Sequence, residues 1–259
     1  MSMPRLHLFE FHEKSWCPAV LRDLTTDYLH FITTALDAYA PLTPQLEQAL
    51  AHSDPPQILD LCSGAGGSIR QVQAQLEAAT GRDVSARIND LFPNEKAFAR
   101  TRRESGGKVD FVSDLVDVQQ VPAHLKGLRT LFNAFHHFRP TEARSILASA
   151  VDTRQPIAII EANDHGWLPA LPVLLLAPIM VFLTAPFVKP FRWSRLLWTW
   201  LIPIMPLLMT WDGIVSILRV YSPAALREMT ADLDSYHWET GKIRHKGGTL
   251  IYLTGWPKA

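Results

Sequence analysis

Apolar residues fall along this chain in two rhythms, and late in the sequence in a block with almost no rhythm. Between residues 57 and 161, apolar runs of strand length alternate with stretches of helical spacing. Residues 58–61, 84–90, 109–112, 128–134 and 156–161 read as strands, and 68–79, 94–104 and 141–150 as the helices between them. The run 156–160 is continuously apolar, as suits a strand buried on both faces. Strand and helix in strict alternation predict the α/β class with a doubly wound, mostly parallel sheet. Ahead of it, 17–39 reads as a helix with Val20, Leu24, Tyr28, Phe31, Ile32 and Leu36 roughly on one face. Thr43 as N-cap, followed by Pro44, predicts a second helix to Leu50. Residues 1–14 mix His, Phe and Glu and predict no element. Near the end, Ser222-Pro223 starts a helix through Leu233, and 248–254 reads as a last strand.

The arrhythmic block is 167–211. Its first 22 residues, 167–188, carry no charge, and neither do the 16 of 196–211. Lys189, Arg192 and Arg195 lie between these runs, and five of the eight tryptophans fall in the block. The first run has the length of a membrane span, but the second falls short of the roughly 20 residues a span needs. Pro169, Pro172, Pro178, Pro186, Pro203 and Pro206 interrupt helical hydrogen bonding. Three readings stay open: a hairpin lying in a membrane surface, with its basic loop drawn to anionic lipid; a lid or homodimer interface; and a true span. The domain plan is therefore an N-terminal helical cap (1–54), an α/β core (55–166), the apolar insert (167–211) and the rest of the core (212–259).

Chemistry gathers at the predicted strand ends. The first strand runs into Asp60-Leu61-Cys62-Ser63-Gly64-Ala65-Gly66-Gly67, a turn whose glycines let a ligand approach the backbone at a helix N-terminus. The spacing does not fit the dinucleotide pattern G-x-G-x-x-G. The stretch resembles motif I of the class I S-adenosylmethionine-dependent methyltransferases, an acidic residue followed by G-x-G-x-G. Cys62 stands at the first glycine position, and Gly64 and Gly66 at the other two. Asn133-Ala134-Phe135-His136-His137 resembles that family's N-x-x-H-H segment. The resemblance covers 57 to about 161.

It implies a Rossmann-like methyltransferase fold with S-adenosyl-L-methionine bound at Asp60, Cys62, Ser63, Gly64 and Gly66. Asp90, with Leu91 beside it, ends the second strand and is placed to accept from two ribose hydroxyls. Asp117, with Val118 after it, is preferred over Asp114 as acceptor from the adenine amino group, and Asn133 faces the methyl group. His136 and His137 are the candidate bases by position and by the ordinary pKa of imidazole; a packed or capping histidine pair is the alternative. Glu161, Asn163 and His165 after the fifth strand, and Asp212 at the end of the insert, are candidates for the acceptor side. No Cys/His spacing suggests a metal, and no G-x-S-x-G elbow exists.

Composition changes the picture little. The 259 residues balance 25 basic against 25 acidic side chains, which gives no basic surface for nucleic acid. Cys17 and Cys62 make no disulfide framework. Without a long apolar core or a cleavage signal at the N-terminus, a cytoplasmic protein is expected, peripheral or monotopic on the inner face of the membrane if the insert meets lipid. The reading is a methyltransferase acting on a lipophilic small-molecule or lipid acceptor. The alternatives are a non-catalytic S-adenosylmethionine-binding protein that holds a protein partner through the insert, and an oxidoreductase.

Overall fold

The computed structural model describes residues 5–64, 66–90, 94–112 and 114–258. Strands β1 (Gln57–Leu61), β2 (Ser85–Asn89), β3 (Val109–Phe111), β4 (Leu128–Phe132), β5 (Ile157–Glu161), β6 (Tyr236–His245) and β7 (Gly248–Pro257) form one sheet in the order 3-2-1-4-5-7-6. β1 pairs in parallel with β2 and β4; β7 runs antiparallel to β5 and β6. Side chains alternate across the sheet, as the two-residue period of a strand requires. Ile58, Ala158, Ile160 and Tyr252 join one apolar cluster, and Leu59, Leu61, Ile159 and Leu253 the other.

Helices cover both faces. Helices α2 (Thr43–Leu50), α3 (Ile69–Thr80) and α4 (Glu95–Glu104) supply Leu46, Leu76 and Phe98 to the first cluster. Helices α5 (Pro140–Asp152) and α9 (Pro223–Thr230) supply Ile146 and Leu226 to the second. The expected doubly wound α/β sheet is the observed one. Local signals hold where side chains act on their own backbone: Asn94 and Ser222 cap α4 and α9 by accepting from Ala97 and Ala225. Thr43 does not cap α2; it is the first helical residue, and its hydroxyl donates to the Ala40 carbonyl.

The insert is helical almost throughout. α6 (Trp167–Thr184) runs on through Pro172 and Pro178, so the prolines do not break it as expected. After α7 (Trp193–Leu196) and a π-helical turn (Leu197–Leu201), the chain bends by 84° into α8 (Ile204–Arg219). The boundary expected between 211 and 212 falls inside α8, which carries the insert into the core without a break. α1 (Ala19–Ala35) packs Leu21, Leu24 and Tyr28 against Val181, Val188, Met205 and Leu208 of the insert.

Lys189 is exposed, but the two arginines of the basic loop are not free. Arg195 is 2% exposed and Arg192 is half-buried; both donate to Asp27 Oδ2 of α1 at 2.9 Å. A buried carboxylate needs such partners, and they fasten the insert to α1. The outer side of the insert is bare by contrast: Leu168, Trp193 and Leu201 are 86%, 77% and 76% exposed.

Candidate active site

A cavity of about 540 Å³ opens at the carboxyl ends of β1, β2 and β4, where ligands bind in open α/β sheets. Asp60, Cys62, Ser63, Gly64, Asp90, Asn133 and His137 line it. α1 covers it with Asp23, Thr26, His30 and Thr33.

The turn after β1 is shaped by its backbone. Cys62 and Gly64 have φ of 58° and 59°, the left-handed region where glycine is favoured; Cys62 thus occupies a glycine-type position with a side chain. Gly66 (φ 84°) approaches so closely that a Cβ there would meet Thr101 Oγ1 at 3.0 Å. The Gly64 N–H donates to Asp90 Oδ2 at 2.7 Å, joining the first two strand ends. Asp60 is buried and accepts from the Thr130 hydroxyl at 2.7 Å. Burial pushes its carboxyl up to about 7, against the hydrogen bonds of Thr130 and Ser63 and with the help of the Asp90 charge. Asn133, at φ 50°, donates to the Tyr39 hydroxyl and accepts from the Ala162 N–H, which locks its amide at the end of β4.

No family model matches this chain, and no curated protein does. Solved structures do resemble it. An O-methyltransferase family protein from Burkholderia thailandensis aligns with a TM-score of 0.46 and 15% identity, over 85% of this chain and 56% of that one. An O-methyltransferase family 2 protein from Planctomyces limnophilus, in complex with apigenin, gives 0.49 and 16%, over 95% and 66%. Magnesium protoporphyrin IX methyltransferase from Synechocystis, with bound SAH, gives 0.44 and 12%, over 96% and 91%. The chain thus spans about half the length of the first of these. All three TM-scores lie below 0.5. The sheet, with its order 3-2-1-4-5-7-6 and its single reversed strand β7, is the doubly wound, mostly parallel sheet that the sequence predicts.

The other candidate residues divide between the cavity and its supports. Leu91 lies outside the described residues. Asp117 and Val118 do not line the cavity. Asp117 accepts from the Gln119 N–H in a turn, and after burial, Asp90 and Asp60 its charge is the smallest of the influences that raise the Cys62 thiol; Val118 is buried in the second apolar cluster. Asn163 and His165 do not line it either. Glu161 is buried, accepting from the His136 N–H at 3.0 Å and pairing with His136 Nδ1 at 2.8 Å. Asp212 is a buried brace, accepting from the Phe11 and His12 N–H groups and pairing with His12 Nδ1 at 2.9 Å.

The two histidines part company. His136 is 3% exposed and lies behind the cavity wall. Burial opposes its charge, but Glu161 and Glu10 outweigh burial and raise it to about 10. His137 lines the cavity; burial and the neighbouring His136 charge hold it below the ordinary imidazole value. Its Nδ1 is 2.5 Å from Glu13 Oε1, and Arg219 Nη1 donates to Glu13 at 2.7 Å and to buried Glu10 at 3.0 Å.

Glu10, His12, Glu13 and Arg219 formed no sequence motif. The first three lie in the segment where no element was predicted, and Arg219 comes from α8. Three chemically rich side chains within four positions were the available signal.

Proposed function

We propose that this protein is an S-adenosyl-L-methionine-dependent methyltransferase acting on a lipophilic small-molecule acceptor taken up at a membrane surface. One observation carries the reading: Asp60, the Gly64 backbone, Asp90 and Asn133 converge on one cavity at the strand ends, with His137 on the same wall. Asp90 is the residue for the ribose hydroxyls, and Gly64 and Gly67 admit the cofactor against the backbone, while Gly66, packed against Thr101, is not on the cavity wall. The cofactor supplies a methyl group on sulfonium sulfur, a leaving group ready made.

The chain's residues then hold the acceptor in line and take up its proton. For an oxygen acceptor, the cofactor would supply the methyl group and keep the carbon–sulfur electron pair, and the acceptor proton would pass to His137. Glu13 would face the imidazolium so formed; against its burial, His137 first and Arg219 after it hold the Glu13 carboxyl well below the usual carboxylate range. His137, held below the ordinary imidazole value by burial and the His136 charge, is the imidazole on the cavity wall placed to accept.

The insert supports the lipophilic half of the reading. A contiguous apolar surface of this size marks an interaction site, and its helix α8 also brings Asp212 and Arg219 to the histidines. With Arg192 and Arg195 committed to Asp27 and Lys189 exposed beside them, the attraction to a bilayer is mainly apolar. The test is incubation with methyl-labelled cofactor and a lipid extract, alongside flotation with neutral vesicles. The reading expects label in an extractable acceptor and flotation that survives high salt. Absence of both would leave a cofactor-binding protein whose insert holds a protein partner.

A further inference from the structure

The geometry points to a divalent transition-metal site formed by Glu10, His136 and His137, which the sequence spacing did not suggest. Its ligand atoms lie within 4.8 Å of one another, one from each residue. Glu10 Oε1 is 3.4 Å from His136 Nε2 and 3.8 Å from His137 Nδ1; an ion there would take Glu10 Oε1 from Arg219 and His137 Nδ1 from Glu13. With bonds of about 2.0–2.2 Å to nitrogen and oxygen, neighbouring ligands of a tetrahedral zinc ion stand roughly 3.3–3.6 Å apart.

Two further observations point to an ion. His136 Nε2 is a buried ring nitrogen without a hydrogen-bond partner, on a side chain only 3% exposed. Its other ring nitrogen pairs with Glu161, whose second oxygen accepts from the His136 backbone. That carboxylate–histidine arrangement is the one that fixes tautomer and ring orientation at metal sites.

Four carboxylates, Glu10, Glu13, Glu161 and Asp212, surround these imidazoles, and the guanidinium groups of Arg219 and Arg5 stand beside them. Two imidazoles and a carboxylate suit zinc and its first-row neighbours rather than magnesium or calcium. The site stands on these residues, independently of the methyltransferase reading. Should both hold, His137, the one of the three that lines the cavity, would serve as a ligand in place of a base, with the ion behind the cavity wall.

The test is titration of the chelator-treated full chain with Zn²⁺ by calorimetry, without cofactor or acceptor, and with Co²⁺ by visible absorption. One equivalent should bind, with the intense d–d bands of a low-coordinate Co²⁺ site. His136→Ala and Glu10→Gln should each weaken binding at least about tenfold, and Glu161→Gln, one step removed, by about 10–100-fold. Circular dichroism identifies any variant that fails to fold, and the remaining variants then decide. No saturable binding by the intact chain, or binding unchanged in every folded variant, would overturn the site while leaving cofactor binding untouched.

Discussion

Asp60 holds its proton more tightly than an ordinary aspartate, because burial at the end of β1 outweighs the Thr130 hydrogen bond. Its folded value of about 7 lies above the 3.8 of a free side chain. The stability it contributes is therefore present below about pH 4 and lost as pH rises through about 7. The melting temperature of the cofactor-free protein should fall over that window, and Asp60→Asn should flatten the fall. Equal profiles for the two proteins would mean that Asp60 is already ionised. His137 and His136 separate in the same way. His137→Ala should lower turnover by about 10²–10⁴-fold with cofactor affinity kept, as for loss of a general base. His136→Ala should first lower the melting temperature, since it leaves Glu161 and Glu10 buried without that partner. A threefold or smaller loss of turnover in His137→Ala would make its place on the cavity wall structural.

At the scale of elements, α1 joins the two halves of the proposal. One side covers the cavity with Asp23, Thr26, His30 and Thr33; the other grips the insert with Leu24, Asp27 and Tyr28. Removing one partner of a buried ion pair strands the other charge and costs about 3–5 kcal/mol. Asp27→Ala, which leaves Arg195 buried, should lower the melting temperature and open the 188–196 loop to protease. Protection equal to wild type would show that apolar packing alone holds the insert. α1 was legible as a helix, but exposed Val20 within it and Leu36 just past its end show why its single apolar stripe was misleading. The helix serves a cavity as well as a core, so its polar side is also committed. The basic loop misled for a related reason: its charges were plain in the sequence, but their partner Asp27 lies 165 and 168 positions away.

For the whole molecule, the sheet and the cavity loop were readable because both are local patterns: period-two strands, helical spacing, and a glycine turn after an acidic strand end. The histidine cluster was not, because Glu13 and His137 are 124 positions apart, and His12 and Asp212 are 200 apart. Glu161 and Asp212, expected at the acceptor, proved to be braces because each has its oxygens spent on a histidine and backbone N–H groups. The central claim is that the strand-end cavity binds S-adenosylmethionine. Calorimetric titration of the full chain with S-adenosylmethionine and with a nicotinamide dinucleotide tests it most directly. The account predicts saturable binding of the first, none of the second, and a loss of about 1.5–3 kcal/mol in Asp90→Ala, the range for hydrogen bonds to a charged group. Tight dinucleotide binding with no response to S-adenosylmethionine would contradict it.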